Sequence, residues 1–311
     1  METTRTLADL LDAHLAHGQS LLWSHYTLRT ARYHAQGFLD WLEKAHQVRT
    51  ADRLQSVHLE NWQKHLAAHR TGRGLALKPR SVNKQVESIR VFLKYLAGHG
   101  LIPPALAAKL QYVKEPKLLP NSVLDHAQVK TVLRAVETGH AEGWRDRAML
   151  ELLYSSGIRA GELLGLNVAD VDLSSATAIV MGKGSKQRVV PIGRTALRQV
   201  ESYVRAIRPF LLRDPQETAL FLTRHGHRLP YHTLLRLVHQ YARPQNLEVN
   251  VTTHTFRRSC TTELIRAGAN LYHVKELLGH ESLETLRHYT RLTIADLKKT
   301  HESCHPRERE G

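Results

Sequence analysis

Residues 112–125 read YVKEPKLLPNSVLD: two prolines, two lysines and a polar turn within fourteen positions. No regular element of useful length survives that composition, because proline lacks an N–H and forces the residue before it out of the helical region. The stretch therefore reads as a linker, 113–125, and any fold must place separate helical bodies on its two sides.

The first body, 1–112, carries apolar side chains at helical spacing throughout. Leu7, Leu10, Leu11 and Leu15 form one stripe. Residues 30–42 supply Tyr33, Phe38, Trp41 and Leu42, and 57–66 supply Leu59, Trp62 and Leu66. Residues 81–96 carry Val82, Val86, Ile89, Phe92, Leu93 and Leu96 between Pro79 and the Gly98–Gly100 turn. Such 3–4 periodicity predicts a four- or five-helix bundle of ordinary domain size.

Beyond the linker, 126–311 reads as helices at 126–136, 145–155, 158–166, 194–207, 231–242, 254–267, 271–278 and 282–290. Between them lies TAIVM–GKGSK–QRVVPI, residues 177–192, with β-branched runs on both sides of a glycine-rich turn, a hairpin pattern. The fold class is mainly α: a helical N-terminal bundle plus a mixed, mostly helical second domain with a small antiparallel β-sheet.

Charge narrows the partners. Lys and Arg total 44 against 29 acidic residues, a formal +15. An excess of this size suits a polyanion, since neutralising phosphates releases condensed counterions. No run of about 18 apolar residues is present to cross a membrane. Asp9 and Asp12 fall where a secretory signal would need apolar residues. The two cysteines, Cys260 and Cys304, are read as reduced thiols, and the 21 histidines are scattered without ligand spacing, so no metal site is expected.

Four stretches hold the chemistry. In GIRAGEL, Arg159 follows a helix break and Glu162 stands three residues on, the spacing of an ordinary i, i+3 ion pair. In GKGSKQRVVP, Lys183 sits at a hairpin tip, with Lys186 a competitor for any role it has. In HTFR, His254 and Arg257 project from one side of a helix start, while Phe256, Cys260 and Leu264 form a separate stripe suited to the core. In LGHESLETLRHY, His280 precedes Tyr289, which shares a helical stripe with Leu283 and Leu286. Taken alone, that stripe favours a packing role for Tyr289.

Together and in this order, GIRAGEL, GKGSKQRVVP, HTFR, LGH and Tyr289 resemble the boxes of the tyrosine recombinase (phage integrase) family, its Xer-like bacterial branch in particular. The resemblance spans nearly the whole chain and makes 1–112 a core-binding, DNA-clamping domain and 126–311 the catalytic domain. It implies a site-specific DNA recombinase in which Tyr289 attacks the scissile phosphate, leaving a 3′-phosphotyrosine and a free 5′-hydroxyl, with strands exchanged through a Holliday junction. Arg159 and Arg257 would grip the non-bridging oxygens, where a guanidinium fork binds two acceptors at once. Lys183 would protonate the leaving oxygen, His254 would take part in proton transfer, and His280 would hydrogen-bond the phosphate. Glu162 would orient Arg159 or a histidine. The stored phosphotyrosine bond implies no cofactor, neither metal nor ATP.

The implied partner is duplex DNA bearing recombination sites, held by four protomers as a homotetramer or as a heterotetramer with a related recombinase. The implied location is the cytoplasm, at the nucleoid. Two other readings share parts of the pattern: a topoisomerase-like enzyme that nicks and reseals, and a DNA-binding relative that does not cut. Arg258 stands where many relatives carry histidine, and Thr290-Arg291 follows Tyr289 where Thr-His or Ser-His is frequent, which touches the subfamily and not the reacting set. For DNA contact outside that set, the sequence offers Lys78, Arg80, Asn83 and Lys84 in KPRSVNK, and Lys186, Arg188 and Arg258; each also reads as a solvated surface residue. The mixed-charge tail 297–311 reads equally as a segment that packs on a neighbouring subunit or as disorder.

Overall fold

The computed structural model describes residues 5–72, 74–116, 123–182, 186–279 and 282. Lys183, His280, Tyr289, the helix expected at 282–290 beyond its first residue, and the tail lie outside them. The chain divides into two compact units, Met1–Lys117 and Leu118–Gly311.

The first unit is built from α1 (Leu7–Ser20), α2 (His25–His46), α3 (Ser56–Ala68), α4 (Pro79–Gly98) and a single turn, α5 (Pro104–Ala107). Local chemistry sets the helix starts. The Thr6 hydroxyl accepts from the Asp9 N–H while the Asp9 carboxylate accepts from the Thr6 N–H, so two orphan donors of α1 are satisfied reciprocally. The Ser24 hydroxyl caps α2 by accepting from the Thr27 N–H, and Pro79 opens α4, where its missing N–H costs nothing. The stripes bury Leu10, Leu11, Phe38, Leu42, Leu59, Val86, Ile89, Phe92 and Leu93 in one core. Each such side chain removed from water contributes about 1.5–3 kcal/mol. Tyr33 departs from expectation: it is 76% exposed. Five residues before Phe38, it sits some 140° around the helix, off the buried stripe.

The second unit contains α6 (His126–Arg134), α7 (Ala141–Ser156), α8 (Ala160–Gly165), β1 (Val171–Asp172), β2 (Thr177–Met181), β3 (Gln187–Pro191), α9 (Arg194–Ser202), α10 (Arg208–Leu211), α11 (Tyr231–Ala242), α12 (Thr253–Arg266) and α13 (Leu271–Leu278). The helix expected over 194–207 passes instead through a π-helical turn, Tyr203–Ile207, into α10. α7 is the central element, covered on nearly all sides, with Met149, Leu150, Leu152 and Leu153 in the core. Its polar residues are paired: the Arg145 Nε donates to Asp146 at 2.8 Å, and the Tyr241 hydroxyl donates to the same carboxylate at 2.7 Å.

The hairpin carries an additional short strand, giving an antiparallel sheet of order β1-β2-β3. In its register Ile179 faces Val189 and Val180 faces Arg188. Side chains alternate across a strand, so Ala178, Val180 and Val190 are buried while Ile179, Met181 and Val189 face outward. Arg188, two residues from Val190, therefore shares the inward face. Among the described residues no helix is long and apolar enough to cross a membrane.

Candidate active site

α7 ends at Gly157, whose left-handed backbone (φ 61°) turns the chain sharply into Ile158 and Arg159. A Cβ at this position would lie 2.8 Å from the Leu278 Cδ2, so the turn is also pressed against the end of α13. Arg159 is the N-cap of α8 and Glu162 lies one turn in. The Arg159 N–H donates to Glu162 Oε2 at 2.8 Å, its Nη1 donates to Oε1 at 2.7 Å, and its Nη2 donates to the Gly279 carbonyl at 3.0 Å. The expected i, i+3 pair is thus present, with Glu162 buried. The Arg159 side chain is 36% exposed, and two of its five side-chain N–H groups are engaged among the described residues, so part of the fork faces outward.

Arg257 rises from the first turns of α12, which the Thr252 hydroxyl caps by accepting from the Thr255 N–H. The sequence places Arg257 with His254 on a projecting side. The helix instead turns His254 outward and buries Arg257. Burial follows from its partners: Nη1 donates to the Gly157 carbonyl at 2.6 Å and Nη2 to the Leu278 carbonyl at 2.7 Å. Phe256 and Cys260 face the core as the stripe predicts. Burial pushes the Cys260 thiol up to about 11, and the nearby Arg257 opposes this only in part.

A third arginine completes the cluster. Arg188 donates from Nη1 and Nη2 to the two oxygens of Glu162, both at 2.9 Å, and from Nε to the Leu277 carbonyl at 3.0 Å. The Glu162 carboxylate thus accepts four hydrogen bonds, as many as its lone pairs allow. Burial by itself would raise its pKa. The bonds from Arg188 and Arg159 and the charge of Arg188 outweigh it and hold the group at about 2.

Leu277, Leu278 and Gly279 each present a carbonyl at the C-terminus of α13, and Arg188, Arg257 and Arg159 take one apiece. The last carbonyls of a helix lack internal partners and carry the negative end of its dipole, so cations gather there favourably. Gly279 (φ 62°) closes the helix in the left-handed conformation. His254 stands at the opposite kind of helix end, in the first turn of α12. Partial desolvation, then the charges of Arg257, Arg258 and Arg159, lower its pKa, so its imidazole is neutral at pH 7 and can accept or pass a proton.

The structure therefore brings Arg159, Glu162, Arg188, Arg257 and His254 into one neighbourhood. Lys186 is exposed, and its carbonyl accepts from the Gly182 N–H at 2.8 Å to close the hairpin below the tip. Arg258 is partly buried beside His254. In the first unit, Lys78, Arg80 and Lys84 are exposed along the start of α4. Asn83 differs: its amide donates to the Val113 carbonyl and to Glu115, and its oxygen accepts from the Val113 N–H, so it clamps the chain after α5. Sequence reasoning missed the inward role of Arg188. Its even spacing from Val190 was the available signal.

The phage integrase family model matches residues 122–295. Tyrosine recombinase XerC 2 of Ralstonia nicotianae is 35% identical over 295 residues, covering 94% of this chain and 84% of the relative. Tyrosine recombinase XerC of Myxococcus xanthus is 39% identical over 241 residues, covering 74% and 77%. Among solved structures, the Tn1549 transposon integrase in complex with a circular intermediate DNA superposes with a TM-score of 0.71 at 17% identity, over 96% of this chain and 99% of that one.

Proposed function

The chain belongs to the phage integrase family and is a tyrosine recombinase, a DNA strand-transfer enzyme, and from that premise we propose how its residues divide the reaction. Arg159 and Arg257 bind the non-bridging oxygens of the scissile phosphate and stabilise the charge that builds on them as a fifth oxygen adds. Tyr289 is the nucleophile. A phenol of ordinary pKa near 10 becomes competent at neutral pH when cations stabilise its phenolate. Lys183 delivers a proton to the departing 5′-oxygen, His254 moves protons at the phosphate, and His280 hydrogen-bonds it. The 3′-phosphotyrosine keeps the energy of the cleaved bond, and attack by the 5′-hydroxyl of a second site reverses the step with exchanged strands.

The observation that carries this reading is the convergence of Arg159 and Arg257, from the starts of α8 and α12, on the end of α13, with His254 beside them. Residues 280–289 leave from that end. The first unit serves as the DNA clamp, with Lys78, Arg80 and Lys84 lying along phosphates, and four protomers, identical or paired with a related recombinase, hold two sites together. The place of action is the nucleoid, where such sites are.

Covalent trapping tests the assignment. The protein is mixed in EDTA with labelled nicked duplexes drawn from the DNA flanking its gene and run on a denaturing gel beside Tyr289→Phe. A DNA-linked band that the substitution abolishes is the expected result. A band that persists in Tyr289→Phe means a different nucleophile, and DNA binding without any band leaves a non-cleaving relative.

A further inference from the structure

We propose that Arg188 is a positioning residue of the active site: it locks Glu162 and the end of α13 together, and through Glu162 it sets the direction of the Arg159 fork. This rests on the reading of Arg159 as a phosphate ligand. It replaces the sequence-based expectation that Arg188 contacts DNA.

The geometry leaves Arg188 little freedom for a phosphate. The edge carrying Nη1 and Nη2 lies against both Glu162 oxygens, Nε is committed to Leu277, and the side chain is 15% exposed. One face lies flat on Gly279. A Cβ there would meet Nη1 at 3.0 Å and Cζ and Nε at 3.1 Å, contacts tight enough that the guanidinium would have to give by a few tenths of an ångström. β3 supplies this arginine from the inward face of the sheet, so the strand register fixes where the fork points.

Glu162 is the relay. Each of its oxygens is shared between the two arginines: Oε1 takes Arg159 Nη1 and Arg188 Nη1, and Oε2 takes the Arg159 N–H and Arg188 Nη2. Without Arg188 the carboxylate keeps only Arg159 and is free to rotate toward it. The Arg159 fork would then lose its fixed angle between Glu162 and the Gly279 carbonyl. A lysine cannot substitute, because one ammonium cannot span two carboxylate oxygens and a separate carbonyl in the plane that the guanidinium occupies. The arrangement separates charge from geometry, which makes it testable.

The native protein is compared with Arg188→Lys, Arg188→Met and Glu162→Gln/Arg188→Met; the double variant removes the carboxylate charge that the methionine would leave to Arg159 alone. Two readouts are taken. On the nicked duplexes that give a covalent band, the dissociation constant, its salt slope and the single-turnover cleavage rate at saturation are measured. On the DNA-free protein, NMR signals of the guanidinium groups, with Arg159 assigned from Arg159→Lys, report whether its Nη groups rotate slowly. The expected result is a cleavage rate lowered by at least about tenfold, toward the roughly 10²-fold that a 1 Å misplacement can cost. Affinity and salt slope stay at native values, Arg188→Lys gives no rescue, the double variant is no slower than Arg188→Met, and the restricted Arg159 signals are lost. A salt slope shallower by about one unit in Arg188→Met but not in Arg188→Lys marks a phosphate contact and overturns the inference. Native cleavage together with unchanged Arg159 signals overturns it as well. If the native protein forms no covalent band, the functional reading fails, and the Arg159 signals alone decide whether Arg188 positions that side chain.

Discussion

His14 offers a stability prediction that can be worked from the structure. It is 2% exposed on α1, packed against the rings of Trp23, Phe92 and Tyr95 at 5.0–5.5 Å between centroids. Neither ring nitrogen has a hydrogen-bond partner among the described residues. Burial, with a smaller contribution from the charge of His17, lowers its pKa to about 4 from an ordinary 6.5. A base with a depressed folded pKa gives stability that is whole above the unfolded pKa and is lost as pH falls, because the unfolded chain takes up the proton first. With 6.5 unfolded and about 4 folded, linkage gives a loss of about 2 kcal/mol between pH 7 and pH 5 and about 3 kcal/mol by pH 4. His34, His58 and His65 in the same unit also have lowered pKa values, so the informative quantity is a double difference: the pH 7 to pH 5 loss in the native protein minus that in His14→Phe. Overpacking by the phenyl ring costs both pH values alike and cancels. Urea unfolding followed by tryptophan fluorescence suits the measurement, since Trp23, Trp41 and Trp62 lie in the first unit and only Trp144 lies in the second. A double difference near 2 kcal/mol is expected. If His14→Phe loses as much stability as the native protein, the ring is either solvated or hydrogen-bonded and the reasoning is refuted.

Three further perturbations test the neighbourhood of the site. Gly157→Ala forces a side chain onto a left-handed residue and to 2.8 Å from Leu278, so thermal unfolding of the second unit should show a destabilisation above about 1 kcal/mol, and an unchanged melt would deny the close packing. Glu162 has a depressed pKa, so its contribution is present above about 4.5 and is lost as pH falls toward 2; Glu162→Gln should flatten the stability–pH curve of the second unit only below about pH 4.5. The Cys260 thiol, buried and raised to about 11, should resist alkylation by iodoacetamide at pH 8 until urea unfolds the second unit, which mass spectrometry of the labelled peptide would show.

Much of the fold was legible because burial imposes a period on the sequence. The leucine stripe of α1 and the Val82–Leu96 stripe of α4 are buried as their spacing requires. Tyr33 misled because an aromatic residue in an amphipathic segment counts as core only if its angle agrees with its neighbours. β1 went unread because two residues, Val171 and Asp172, carry no alternation to detect, and they become a strand only through pairing with Ala178 and Thr177. At the turn Tyr203–Ile207 the buried Tyr203 ring stacks on Phe221, a tertiary contact that the local pattern does not show.

The described part of the candidate site was legible in its residue types and illegible in its scaffolding, for a physical reason. Arginines and histidines announce themselves by chemistry, but the three arginines here are also held by backbone carbonyls, which every residue possesses and which no sequence distinguishes. Leu277, Leu278 and Gly279 take part only because α13 ends there, leaving carbonyls without internal partners just where three guanidinium groups arrive. Each of those bonds carries a full positive charge on the donor, worth about 1.5–3 kcal/mol when buried. The helix end and the arginines therefore specify each other: removing Arg257 takes the donor from the buried Leu278 carbonyl, and moving the helix end takes that acceptor from the buried Arg257. Such mutual dependence leaves the arginine cluster pre-formed, so in the proposed reaction no binding energy is consumed in assembling it. It also ties the positions of Arg159 and Arg257, the proposed phosphate ligands, to one point of the chain, so a displacement of the end of α13 would disturb both together.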